Sequence, residues 1–196
     1  MGQNMTKYKI AIFASGNGSN AEAIMNYFKD NPYISVGALL TNNPTAYAIE
    51  RAKKFGVLCK VFTKQDLAGT AVYNWLTSSG FSHICLAGYL LLVSEDLITA
   101  FPNRIVNIHP ALLPSYGGKG MYGLKVHEAV KASGDTRTGI TIHLVNTKYD
   151  EGEILAQKFV EIVPTDTPED IANKVRELEH KYYPEVIESW ILDLRS

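Results

Sequence analysis

The chain has 196 residues, 46% hydrophobic and 20% charged, which suits one globular unit able to bury its own core. Nineteen basic residues stand against twenty acidic ones, a formal net charge of −1, which argues against a basic nucleic-acid-holding protein. No apolar run approaches the roughly 20 residues that span a bilayer, and MGQNMTKYKI lacks the apolar segment of a secretory signal.

The first predicted strand is Lys9–Ala14, which runs into the loop SGNGSN. A helix follows, with Ala23, Ile24, Tyr27 and Phe28 expected on its inner face. Strand two is Ile34–Thr41, stopped by NNP, and a helix is expected from about Thr45 to Phe55, closed by Gly56. Strand three is Val57–Phe62, and a helix is expected over Asp66–Ser79. Strand four is His83–Ala87, followed by GYLLLVS, and strand five is Ile105–His109. Strands alternating with helices imply a parallel sheet of βαβ units.

The rhythm changes after Pro110. Lys125–Ala132 reads as helix, and Gly139–Val145 alternates, with Thr141 and His143 on one face. Ile154–Ile162 is a further strand, and the short link TKYDEGE suits an antiparallel hairpin better than a crossover. Thr167 then caps a long helix whose first turn holds Pro168, Glu169 and Asp170 and whose apolar stripe is Ile171, Val175, Leu178 and Tyr182. Cys59 and Cys85 sit in apolar runs without a C-x-x-C pattern, so both read as buried free thiols of a reducing compartment.

Two segments carry chemistry. Ser15-Gly16-Asn17-Gly18-Ser19-Asn20 lies between a strand and a helix, where backbone N–H groups and the helix dipole favour an anion. Ser19 and Glu22 also fit a capping box, so a plain βα turn with a capped helix is the competing reading. The loop is no nucleotide P-loop, because G-x-x-x-x-G-K-[ST] is absent. A dinucleotide is disfavoured, since Ala21 replaces the third glycine and no acid lies between Asn31 and Ile49. A phosphate fits better.

The second segment is Asn107-Ile108-His109-Pro110. Asn107 and His109 share one strand face near the carboxyl ends of the sheet, where open α/β folds bind ligands. An amide donor and an imidazole suit oxyanion stabilisation and proton transfer. A core histidine beside a turn asparagine is the alternative. Asp150 is the candidate acid to orient His109, but spacing alone does not bring the two together. No H-E-x-x-H, clustered Cys/His or G-x-S-x-G pattern points to zinc or an acyl-enzyme.

NIHPALLPSYGG followed by GITIHLVNTKYDEGEILAQ resembles the folate-dependent formyltransferases. SGNGSN at the start and ELEHKYYP near the end extend the likeness over essentially the whole chain. The resemblance implies an α/β fold, with an open, mostly parallel twisted sheet, flanking helices in a Rossmann-like arrangement, a C-terminal antiparallel hairpin and a long helix. It implies one domain over 1–196, with a phosphate and substrate lobe over about 1–104 and a catalytic and folate lobe over about 105–196.

The implied reaction moves the formyl group of 10-formyltetrahydrofolate, a co-substrate, to the amine of 5'-phosphoribosylglycinamide in purine synthesis, without a metal. By the resemblance Asn107, His109 and Asp150 are catalytic, and Thr141 and His143 support them. Gly18, Ser19, Asn20, Gly88, Pro110 and Glu179 bind substrate. Tyr89, Leu90, Leu91, Leu92, Val93, Asn146, Asn107 and Asp150 meet the folate. The expected partners are small molecules only, with no nucleic acid or membrane, for a cytoplasmic monomer or homodimer.

The chain departs from the family in places. Thr70 and Leu91 stand where some members carry arginines, with Lys64 or Arg104 as replacements. The stretch GGKGMYGLKVHEAV is longer than the usual loop, and Gly118, Gly120 and Gly123 suggest a flap. His127 matches a family histidine near the site. Members acting on tRNA carry R-G-A-A-P where SYGGKG stands, and hydrolytic members read N-I-H-H, whereas this chain reads NIHP.

Overall fold

The computed structural model describes residues 8–68 and 70–192. Seven strands form one sheet: β1 (Tyr8–Phe13), β2 (Ile34–Thr41), β3 (Leu58–Val61), β4 (His83–Leu86), β5 (Ile105–His109), β6 (Arg137–Leu144) and β7 (Ile154–Glu161). Their order is β3-β2-β1-β4-β5-β6-β7. Pairings among β1 to β5 are parallel, while β6 runs antiparallel to β5 and β7 antiparallel to β6. The mostly parallel sheet and the late antiparallel hairpin are thus as anticipated.

The inner stretch of β1 is apolar at every position because both faces are covered. Ile10 and Ile12 point into one core, and Ala11 and Phe13 into the other. Helices α1 (Ser19–Phe28), α2 (Ala48–Lys54), α6 (Leu124–Ser133) and α7 (Pro168–Ile191) cover the first face. Helices α3 (Lys64–Ala68), α4 (Ala71–Ser78) and α5 (Glu95–Ala100) cover the second. Among the described residues, no helix is long and apolar enough to cross a membrane.

Helix α7 opens on a complete capping box, with Thr167 and Asp170 bonding each other's backbone N–H. Ile171 and Val175 are buried as expected, Leu178 and Tyr182 only partly, and the stripe continues through Tyr183, Ile187, Trp190 and Ile191. The Tyr183 hydroxyl lies 2.9 Å from the Leu86 carbonyl and 3.2 Å from that of Val106. It ties α7 across β4 and β5, so the helix holds a fixed position over the crevice.

Several expectations are corrected. The inner face of α1 is Ala21, Ile24, Met25 and Phe28; Tyr27 is exposed and donates to Glu188 of α7 at 2.6 Å. The Ser19–Glu22 box does not form. Gly18 is the cap residue, in a left-handed conformation, and Glu22 instead pairs with Arg51. Helix α2 begins at Ala48 because the Asn43 side chain first folds 43–46 into a turn. The Asp66–Ser79 helix is two helices, α3 and α4. Helix α5 has no counterpart in the sequence reading. Cys85 is fully buried, but Cys59 is only partly so.

Candidate active site

Strand order reverses between β1 and β4, and the chain leaves these strands in opposite directions above their carboxyl ends. The glycine loop rises from β1, the segment 87–93 from β4, and Asn107 and His109 from β5. A cavity of about 710 Å³ opens there. That volume is in the range of small-molecule sites.

Gly18 is required by two constraints. Its φ is +75°, and an added Cβ would lie 2.5 Å from the Ala48 Cβ and 2.7 Å from its Cα. The loop is therefore pressed against the start of α2. Arg51 of α2 holds it further, donating to the Asn17 carbonyl and side-chain oxygen at 2.9 Å each.

The hairpin turn does bring Asp150 to His109. His109 Nδ1 is 3.5 Å and His143 Nε2 3.6 Å from the Asp150 carboxylate oxygens. Asp150 sits in a left-handed conformation (φ 55°) and accepts the Gly118 backbone N–H at 2.9 Å. Gly152 makes the tight return possible, since a Cβ there would overlap the Leu144 carbonyl oxygen.

The hydrogen bonds fix both imidazoles. His109 Nε2 lies 2.7 Å from the Tyr116 carbonyl, so it carries the proton and leaves Nδ1 facing Asp150. His143 Nδ1 lies 2.8 Å from the Leu144 carbonyl, so its Nε2 is the acceptor for Asn107 Nδ2 at 3.1 Å. That contact aims the amide and leaves Asn107 a second N–H for a ligand. Thr141 does not line the cavity. Its Oγ1 accepts from Leu113 N and donates to the Ala111 carbonyl, with Gln157 as a further donor, and so braces the loop after β5.

Burial pushes the His109 imidazole below its ordinary value; the Asp150 charge and the Tyr116 carbonyl oppose this without overcoming it. Burial raises the Asp150 carboxyl, but the adjacent His143 and His109 imidazoles and the Gly118 N–H together bring it below the usual range. The pair therefore consists of a neutral base beside a carboxylate at neutral pH.

The cavity connects the remaining expected residues. Asn20, Gly88, Pro110 and Glu179, Tyr89–Val93 with Asn146, and Asn107, His109 and Asp150 all line it. Gly18 and Ser19 do not line it; they lie behind Asn20 in the loop. Glu179 bonds Asn20, and burial raises its carboxyl against that bond and the Arg176 charge.

Lys64 borders an adjoining cleft with Leu91 and Leu92. Arg104 instead acts on His83, at the amino end of β4, away from the site. The long glycine stretch supplies Gly118, Lys119, Gly120, Met121 and Tyr122 to the wall, and the buried His127 lines it as well. Sequence reading missed Ser15, Arg51, Tyr116 and Gln157. The first three act through contacts distant in sequence or through a backbone carbonyl, which no side-chain pattern signals.

The mostly parallel sheet with a cavity at the carboxyl ends of its strands is the frame of a formyl transferase. Residues 8–187 match the family of that description, and the chain belongs to it. The chain is 44% identical to the chloroplastic phosphoribosylglycinamide formyltransferase of Arabidopsis thaliana, over 91% of this chain and 64% of that one. It thus spans less than two thirds of that relative. It is 39% identical to the Bacillus subtilis phosphoribosylglycinamide formyltransferase, over 91% of this chain and 92% of the relative. The crystal structure of phosphoribosylglycinamide formyltransferase from Bacillus halodurans superposes with a TM-score of 0.85 at 34% identity, covering 95% and 97% of the two chains.

Proposed function

We propose that the protein transfers the formyl group of 10-formyltetrahydrofolate to the amine of 5'-phosphoribosylglycinamide. One observation carries the reading. A single cavity is lined by Asn20 and Glu179, by Tyr89–Val93 and Asn146, and by Asn107, His109 and Asp150. Two reactants can meet there with the formyl carbon at the polar group.

Gly18, Ser19 and Asn20 offer backbone N–H groups at the start of α1 to the ribose phosphate. Glu179 meets the glycinamide amine, with Gly88 and Pro110 beside the chain. Tyr89–Val93 and Asn146 enclose the pterin. Lys64, in the cleft that adjoins Leu91 and Leu92, supplies a cation for the cofactor's carboxylates. The unit is one domain over 1–196, with lobes of about 1–104 and 105–196.

The amine attacks the formyl carbon, a C–N bond forms, and charge gathers on the formyl oxygen. Asn107 donates its free N–H to that oxygen. His109 Nδ1 takes the amine proton, and the imidazolium so formed is held by the Asp150 carboxylate while its positive charge stabilises the oxyanion. The proton then passes to N10 of the cofactor, the C–N10 bond breaks, and tetrahydrofolate leaves. Thr141 and His143 support the group by bracing the loop and aiming Asn107. Holding both reactants in one cavity supplies much of the acceleration.

The test is spectroscopic release of tetrahydrofolate from 10-formyltetrahydrofolate, with and without phosphoribosylglycinamide. Turnover only with the amine supports the reading, and equal turnover without it would make the protein a hydrolase.

A further inference from the structure

Ser15 is buried at the root of the glycine loop and does not line the cavity. All its hydrogen-bonding groups are nevertheless committed, and to two different segments. Its hydroxyl donates to Asn42 Oδ1 at 2.7 Å and accepts the Leu90 backbone N–H at 3.1 Å. Its own N–H donates to the Gly88 carbonyl at 3.1 Å, and its carbonyl accepts from Asn43 Nδ2 at 3.3 Å. One side chain thus fastens the loop that leads to Asn20 to the segment Gly88–Leu90, which also lines the cavity.

Alternative roles fit poorly. A buried serine serving only as filler would satisfy its hydroxyl on its own strand. A substrate contact would leave the hydroxyl free. Here the donor is spent on Asn42, 27 residues away, and the acceptor on Leu90, 75 residues away. The glycine loop and the Leu90 segment belong to different reactants under the proposed reading, on which this inference rests.

We infer that Ser15 is a positioning residue that couples the two ligand subsites, so that each ligand tightens the other. An anion seated on the N–H groups of Gly18–Asn20 orders the glycine loop. Through Ser15 that order reaches Leu90, so the second ligand meets a segment whose freedom is already reduced. Ordering that one ligand has accomplished need not be repeated for the other, which gives positive cooperativity without a change of fold. The coupling must be reciprocal. It suits a reaction that proceeds only when both reactants are bound.

The test measures tetrahydrofolate affinity by calorimetry, with and without saturating phosphoribosylglycinamide; no formyl group is present, so nothing turns over. The intact protein should bind tetrahydrofolate about tenfold more tightly with the ribonucleotide present, within the usual span of such couplings. In Ser15→Ala that factor should fall to about one, while each ligand alone binds within a few-fold of the intact protein. Ser15→Thr, which keeps the hydroxyl, should restore the factor. Asn42→Ala, which removes the hydroxyl's acceptor, should reduce it, and decides the matter if Ser15→Ala does not fold. An unchanged factor in Ser15→Ala or Asn42→Ala, or a factor of one in the intact protein, overturns the inference. Failure of the intact protein to bind either ligand overturns the formyltransferase reading instead.

Discussion

Gly18→Val puts the phosphate assignment at risk. At φ +75° a side chain with a Cβ is strained by about 1–2 kcal/mol. The new Cβ would also lie 2.5 Å and 2.7 Å from Ala48 Cβ and Cα. Carbon atoms pack at about 3.5–4.0 Å, so the loop or the start of α2 must yield by roughly 1 Å. A shift of that size breaks the alignment of backbone N–H groups with a phosphate. A hydrogen bond to a charged group is worth about 1.5–3 kcal/mol, so each one lost weakens binding between tenfold and somewhat over a hundredfold. Steady-state kinetics should therefore show the Michaelis constant for phosphoribosylglycinamide rising by at least tenfold. The affinity for tetrahydrofolate alone should stay within about twofold, because its expected contacts rise from β4 and the hairpin. Gly16→Ala is the control, since a Cβ there meets nothing within 4 Å. Equal losses for both ligands, or an unchanged Michaelis constant, would refute the loop assignment.

Asn107→Ala should lower turnover by about 10²–10³ with both ligands still bound, as expected for one oxyanion donor; near-normal kcat would remove Asn107 from the chemistry. In Asp150→Asn the charge that raises His109 is gone, so the acid limb of kcat/KM, where neutral His109 gains its proton, should move to lower pH, and an upward shift would contradict the pairing. Glu179→Ala should raise the Michaelis constant for the ribonucleotide between about tenfold and a hundredfold, the worth of a charged hydrogen bond, and leave that for the cofactor alone. His83 is buried with its imidazole pushed down to about 4 by burial and the Arg104 charge. An unfolded histidine takes its proton near 6.5, so the unfolded state binds more protons below that pH and stability falls as pH falls. His83→Phe should spare about 2 kcal/mol of the loss in urea-unfolding free energy between neutral pH and about pH 4.5, and an identical loss would show that His83 is not the group responsible.

The parallel sheet was legible because its strands are short apolar runs separated by turn residues, a pattern that survives without any tertiary information. The capped start of α7 was legible because Thr167, Pro168 and Asp170 act within one turn. Helix α5 was missed although Ser94-Glu95-Asp96 is a reasonable start signal; the preceding YLLLV run obscured it. The Ser19–Glu22 box failed for a tertiary reason, since Arg51 offered Glu22 a charged partner. Tyr27 was placed inward by its apolar ring, but its hydroxyl found Glu188 across the α1–α7 contact. Asn107 and His109 could be joined by strand periodicity. Asp150 could not, because its position depends on the register of β6 against β5, in which His143 lies opposite Asn107.

That register explains why the polar group is prearranged rather than merely gathered. Neutral imidazoles can each hold their proton on either nitrogen, and the wrong choice would turn Asn107's amide or set two lone pairs towards the substrate. Two backbone carbonyls remove the choice. Leu144 holds the proton of His143 on Nδ1, and Tyr116 holds that of His109 on Nε2. The Tyr116 carbonyl reaches His109 from a residue whose own φ is +58°, a conformation that bulky side chains rarely adopt. The tyrosine hydroxyl donates to Asp135 at 2.6 Å, just before β6 begins, which anchors the unfavourable turn to the sheet. Backbone geometry on the far side of the ring thereby decides which nitrogen faces Asp150, and the proton-transfer partner is chosen before any ligand arrives.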